Sequence, residues 1–351
     1  MPIVNLQFIQ DFETRSKIIV VDSYEKLAKS IWIWDFMIEK STESRKEVLA
    51  WLLSNAQIGE LGEDGGQMDY AGIEQVLAEF TTKHHGRGLE VERAQFEDLD
   101  GNGLDVGAQW MKNIGAYMAY YPQKLGVQAL KVGHDAASLG YDGVPFFSNA
   151  HPVNPNRVAV GTYANLFTGA ASGIYPGACP IDTSVSVEVA FQNLQKVVAY
   201  IRSIKSANGE DPRGLRPLKL LVSPENMGRA VQLTNATFIA QAATGGAGGA
   251  DVKAVVDALG LLQPVIADEL AGFENGTSYF IGCQDVATTE IGGLVYMKRK
   301  DFEINYYAGQ GAGATGLDAQ LARQQRFEWQ CRGRMSVGYG HPYELHKVKA
   351  T

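Results

Sequence analysis

A chain of 351 residues can bury a sizeable core in more than one domain, and 45% hydrophobic with 20% charged residues is globular composition that argues against long disorder. The formal net charge of −8 argues against a dedicated nucleic-acid binder, which needs a basic surface to displace counterions from phosphates; it fits an ordinary acidic cytosolic protein as well as one that lines a container for DNA, and decides nothing further. No apolar run reaches the roughly 18 residues that a membrane span needs, and no basic stretch followed by an apolar one opens the chain, so neither a membrane partner nor a secretory signal is expected.

In chain order, Asp22 to Trp34 is amphipathic and predicts a short helix or arm. Phe36 to Leu53, with the apolar run Val48 to Leu53, predicts extended structure, followed by a Gly-rich acidic loop from Gly59 to Gly72. Ile73, Val76, Leu77 and Phe80 stand at i, i+3, i+4 and i+7 and predict two turns of helix; His84 to Gly88 reads as a turn, and Leu89, Val91 and Phe96 as a returning strand. Residues 46–98 thus read as an excursion with too few apolar residues for a core of its own, which calls for a partner surface.

The strongest helical signal of the first half runs from Leu104 to Lys131 on Trp110, Met111, Ile114, Tyr117, Met118, Tyr121 and Leu125, a span of about 40 Å. Pro122 inside it should kink or break the helix. After a Gly-, Pro- and Asn-rich loop (Ser148 to Pro180), Val187 to Ile204 predicts a second helix, with cap candidates between Asp182 and Ser186. Beyond it come a buried strand at Leu218–Val222, a helix from Pro224 to Leu233 and, after a glycine-rich loop, another from Val252 to Leu259. Short strands are expected at Val265–Ala267, Ser278–Gly282, Leu294–Met297, Phe302–Tyr307, Arg326–Val337 and Tyr343–Val348, giving an α+β class.

Three motifs could carry chemistry, and each has a plainer reading. Gly311-Ala-Gly-Ala-Thr-Gly316 follows a predicted strand, as a dinucleotide-binding loop does; but too little chain follows it for the rest of such a domain, so a dinucleotide-binding enzyme is the weaker alternative to a flexible Gly/Ala loop. Asp98-Leu-Asp-Gly-Asn-Gly103 opens like a calcium loop, yet its eighth position is Asp105 and its twelfth Gln109, so a turn is expected instead. The six histidines (84, 85, 134, 151, 341 and 346) show no metal spacing and no neighbouring nucleophile, His84-His85 reading as solvated and His151 as a loop residue. Cys179, Cys283 and Cys331 are scattered, which fits free thiols in a reducing compartment. No catalytic residue, cofactor or metal is expected.

Several phrases, in order along most of the chain from Tyr24 onward, resemble the Mu-like bacteriophage major head subunit, a major capsid protein family: Trp51-Leu52 before the loop, Phe80-Thr-Thr-Lys-His to Phe96-Glu-Asp98, the proline-bearing helix, Tyr141-Asp-Gly-Val-Pro-Phe-Phe147 with His151-Pro-Val153, Gly209 to Pro224, and Arg332 to Gly340. The resemblance implies the tailed-phage and herpesvirus capsid fold (Hong-Kong-ninety-seven type). On it, residues 1–45 form an N-terminal arm, 46–98 an E-loop, 99–184 a P domain with its spine helix, 185–298 an A domain, and 299–351 a return to the P domain. It further implies self-assembly into hexameric and pentameric capsomers of an icosahedral virion shell around double-stranded DNA, contacted non-specifically. The shell would be assembled in the host bacterial cytoplasm with a portal and a separate scaffolding protein, unless a scaffolding segment has already been removed. Trp51, Leu89, Val91 and Phe96 are the expected inter-subunit contacts. A protein nanocompartment shell of the same fold is the other alternative.

Overall fold

The computed structural model describes residues 6–53, 74–92, 103–235, 238–239, 250–251, 262–286, 290–308 and 326–349. Two sheets organise it. The first has the order β1-β13-β14-β4, built from β1 (Met37–Ser41), β4 (Lys83–Glu92), β13 (Leu294–Ala308) and β14 (Arg326–Tyr339). The second has the order β11-β8-β12-β15-β7, built from β7 (Leu166–Phe167), β8 (Arg216–Val222), β11 (Gln263–Ile266), β12 (Tyr279–Gln284) and β15 (Leu345–Val348). Three two-stranded pieces complete the set: β2 (Lys46–Leu53) with β3 (Glu74–Thr81), β5 (His151–Pro152) with β6 (Thr162–Tyr163), and β9 (Phe238–Ile239) with β10 (Ala250–Asp251). The helices are α1 (Leu6–Ala28), α2 (Gly103–Val132), α3 (Val187–Ser203) and α4 (Met227–Asn235). The α+β class expected from sequence is the class found.

The apolar pattern of each strand follows from what covers its faces. Leu294, Val295, Tyr296 and Met297 are all buried because β13 is covered on both sides. Leu294 and Tyr296 join the core under α2, while Val295 and Met297 meet Ala78 and Phe80 of the β2–β3 hairpin. In the second sheet, Leu220, Val222, Tyr279 and Ile281 pack with Leu194, Val197 and Ile201 of α3. Leu221, Phe280 and Leu345 point the other way, toward Phe36, Phe147 and Leu130. Ser186 caps α3, its hydroxyl accepting from Val189 N at 3.3 Å. Ser186→Ala should therefore lower stability by about 1 kcal/mol, read as a shift in the urea unfolding midpoint without a change in slope.

α2 runs unbroken for 30 residues with Pro122 inside it, so the expected kink does not interrupt the helix. The proline lies buried among residues that hold this stretch: Gln123 accepts from Trp32 N at 3.1 Å and donates to Glu269, and Lys131 Nζ donates to the Glu269 carbonyl at 2.6 Å. These tertiary contacts offset the missing backbone bond. α1 lies along α2 through a close approach at Gly115, where a Cβ would come within 2.5 Å of Val20 O.

Several sequence expectations are corrected. The predicted short helix at Asp22–Trp34 is the end of a longer one, α1, followed by a 3-10 turn at Ile33–Asp35. Residues 74–81 form a strand: Val76, Ala78 and Phe80 are buried and Gln75, Leu77 and Glu79 exposed, a period of two that the helical spacing of Ile73, Val76, Leu77 and Phe80 concealed. His84 to Gly88 is the interior of β4 and pairs with residues 330–334 of β14. The two strands read at Leu294–Met297 and Phe302–Tyr307 are one strand with register shifts between Lys298 and Glu303. The predicted helix at Val252–Leu259, the acidic loop at 59–72 and Gly311–Gly316 lie outside the described residues.

Candidate assembly surfaces and the buried polar centre

The β2–β3 hairpin has two unlike faces, because alternate residues of a strand point opposite ways. Its inner row, with Leu49, Trp51, Leu53, Val76, Ala78 and Phe80, packs on Ile38, Val295, Met297, Tyr141 and Ala207. Its outer row carries Val48 and Leu77, 52% and 59% exposed, with Ala50 directly opposite Leu77. Lys46 and Glu79 close that row at its base, 2.6 Å apart. At the other end Glu74 accepts from Asn154 Nδ2 at 2.7 Å and pairs with Arg157. The hairpin is thus docked on its own subunit by one face and offers apolar side chains to solvent on the other.

That arrangement corrects the expectation that the 46–98 excursion has no core beneath it. Trp51 is half-buried on the inner row, its ring centroid 4.5 Å from that of His341. Leu89 is half-buried against Trp329, Met111 and Ile114, in the core between β4 and α2. Val91 pairs with Phe327 in the β4–β14 ladder, and Phe96 lies outside the described residues. Of the expected contact residues, Trp51 and Leu89 thus lie in different clusters of the subunit. Val48 and Leu77, which sequence reasoning did not single out, are the exposed apolar pair; strand alternation around Leu77 was the signal available.

Behind the hairpin sits a polar centre that the sequence disclosed only in part. Arg213 Nε donates to Asp285 Oδ2 at 2.9 Å, with both side chains under 10% exposed, and the guanidinium carbon lies 3.4 Å from the Tyr343 ring centroid. Glu344 is fully buried and accepts from the Gly292 N–H. Burial, with Asp285 nearby, pushes its carboxyl up to about 8 despite that hydrogen bond and Arg213. His341 stacks on Tyr343 at 4.9 Å, and burial together with Arg213 pushes its imidazole down to about 3. His151, expected in a loop, is fully buried in the short strand β5: Nδ1 lies 2.6 Å from Asp142 Oδ2 and Nε2 3.1 Å from both Phe146 O and Asn165 Oδ1. Asn165 Nδ2 in turn donates to the carbonyls of Phe146, Pro342 and Leu345. The group ties the Tyr141–His151 phrase to the chain's last turn and strand.

Two placements bear on chemistry. His346 Nδ1 lies 3.6 Å from Cys283 Sγ, a neighbour that sequence reasoning missed because 63 residues separate them. Burial drives the thiol well above its ordinary value and the imidazole down to about 3, so both stay neutral, the opposite of an activated thiolate–imidazolium pair. His85, expected to be solvated, has Nδ1 2.7 Å from the Tyr121 hydroxyl and Nε2 3.2 Å from Met335 O. Residues from Gly103 to Gln109, the second half of the calcium-like motif, are helical, and among the described residues no group of three or more His, Cys, Asp or Glu side chains could hold a metal ion. No helix among the described residues is long and apolar enough to cross a membrane.

Comparison with known proteins gives a family and a fold. The family described as phage capsid protein matches residues 79–348. The capsid of cyanophage P-SCSP1u is similar with a TM-score of 0.50 at 13% identity, over 91% of this chain and 86% of that one. The procapsid of bacteriophage JBD30 follows at 0.49 and 14%, over 99% and 77%, and the mature capsid of bacteriophage PhiM1 at 0.48 and 11%, over 92% and 86%. No curated protein matches the sequence.

Proposed function

The chain belongs to the phage capsid protein family, and we propose that it tiles its shell as hexameric and pentameric capsomers through the outer face of the β2–β3 hairpin. It is a structural subunit of the phage head, with the tailed-phage capsid fold. The finer reading assigns residues 1–45 to an arm, 46–98 to the E-loop, 99–184 and 299–351 to the P domain with α2 as its spine, and 185–298 to the A domain, in a head of the Mu-like type. It also includes assembly in the host cytoplasm with a portal and a separate scaffolding protein, non-specific contact with packaged DNA, and a structural rather than catalytic role. On this reading β4, which pairs with β14, goes with the P-domain sheet, and the β2–β3 hairpin is the part of the E-loop that offers a face to a neighbouring copy.

The observation that carries the assembly reading is the outer row of the hairpin, where Val48 and Leu77 stand in solvent. Burying each across a contact between copies contributes roughly 1.5–3 kcal/mol. Val48→Glu with Leu77→Glu should leave the circular dichroism spectrum and unfolding midpoint of the subunit unchanged, since neither side chain is in its core, while abolishing particles in electron micrographs. Normal shells from this double variant would remove the hairpin face from the assembly contacts. Nuclease-protected DNA in wild-type particles tests the genome-shell reading.

A further inference from the structure

Between β4 and α2 lies a cleft of about 630 Å³, with a cationic lining in a chain of net charge −8. Arg87 and His84 reach it from β4, and Trp110, Asn113, Tyr117 and Lys124 from α2; among the described residues no carboxylate lines it. The spacing on α2 is the reason: positions 110, 113, 117 and 124 fall on one helical face, turned toward the edge of the sheet. Lys124 Nζ is held over this face by the Tyr117 hydroxyl at 2.7 Å, within 5.5 Å of the Tyr117 ring centroid. The floor is fixed by the Tyr121–His85 hydrogen bond. The walls thus present ammonium, guanidinium, amide, hydroxyl and indole donors, the groups that contact phosphate oxygens in nucleic-acid complexes.

We propose that this cleft binds the phosphodiester backbone of nucleic acid, with Arg87 and Lys124 as the charged contacts and Asn113 and Tyr117 as neutral donors. The proposal rests on the reading of the chain as the shell of a DNA genome, which brings the polymer to the subunit at high local concentration. The chain as a whole carries a net charge of −8, so a local cationic cleft would confine the contact to one place and keep it weak.

The test uses the full-length subunit and fluorescently labelled duplex DNA, with affinity measured over a series of salt concentrations. Arg87→Gln combined with Lys124→Gln should weaken binding by about tenfold at low salt and reduce the salt slope by about two, one for each phosphate no longer neutralised. Lys40→Gln, an equal loss of charge per site on the exposed end of β1, should change neither. Unchanged affinity and slope in the double variant would overturn the proposal. So would displacement of DNA by inorganic phosphate at equal phosphate concentration, which marks a small-anion site, or by polyglutamate at equal charge, which marks a seat for an acidic protein segment. Electron micrographs of the same variants keep the two readings apart: loss of particles bears on assembly, whereas shells that retain full DNA affinity count against the cleft alone.

Discussion

Replacing Glu274 with glutamine should destabilise the subunit by about 3 kcal/mol or more, because it strips the partner from a fully buried ammonium. Lys347 has no exposed surface; its Nζ lies 2.9 Å from Glu274 Oε1, 3.3 Å from His134 Nδ1 and 4.8 Å from the Phe273 ring centroid. Burial pulls its ammonium below the ordinary lysine value, and Glu274 is what keeps the charge tolerable there. Burial also acts against the Glu274 charge, but hydrogen bonds from Ser278 and Lys347 outweigh it, and its carboxyl sits below the usual range. The pair locks a turn whose backbone is itself unfavourable, with φ at 46° for Glu274 and 59° for Asn275, where L-residues lose roughly 1 kcal/mol each. Lys347→Met should cost less than Glu274→Gln. It removes the buried charge at similar volume and leaves a carboxylate that still has Ser278 and, at 3.6 Å, Lys349. Urea unfolding of the two variants gives the ranking directly. A methionine variant as damaged as the glutamine one would mean that the favourable ion pair itself, and not the uncompensated charge, dominates.

This turn shows where sequence reasoning stops. Helices α2 and α3 were legible because their apolar residues recur with helical spacing over many turns, and a signal of that length survives local exceptions such as Pro122. The four residues at 73, 76, 77 and 80 fit a helix as well as a strand, and only the neighbour on one side, Val295 with Met297, decides for the strand. The phrase from Tyr141 to His151 carried the family resemblance, but nothing in it announced a buried Asp142–His151 pair, because the group that completes it, Asn165, lies beyond a loop. Lys347 and Glu344 could not be singled out at all. A charged residue near a chain end reads as solvated until the sheets that enclose it are known, and β15 is the strand that carries Lys347 into the interior. Leu89 shows a related limit: an apolar residue in an apparent excursion reads as awaiting a partner, whereas β4 pairs with β14 and leaves Leu89 half-buried against α2.

The polar centre should make the subunit lose stability on both sides of neutral pH, with the alkaline limb belonging to Glu344. Its carboxyl is pushed up to about 8 in the folded chain from an ordinary value of 4.5, so its contribution is fully present below 4.5 and is lost as pH rises through about 8. A difference of that size is worth up to about 5 kcal/mol. Two of the histidines act in the opposite sense. His341 and His346 are pushed down to about 3 from 6.5, so the stability they carry is present above 6.5 and is lost as pH falls through about 3. Glu344→Gln keeps the shape and an acceptor for the Gly292 N–H but cannot ionise. The urea midpoint of the wild-type chain should therefore fall as pH rises from about 6.5 through about 8 while that of the variant stays level, and both should fall as pH drops below about 6.5. Because His341 touches Trp51 of the hairpin, the same titration should register as lower amide protection, relative to the intrinsic exchange rate, in β2 of the wild type at alkaline pH, and not in the variant. An alkaline limb that persists undiminished in Glu344→Gln would place its origin in another group, and the carboxyl between Gly292 and Arg213 would then be ionised in the folded subunit.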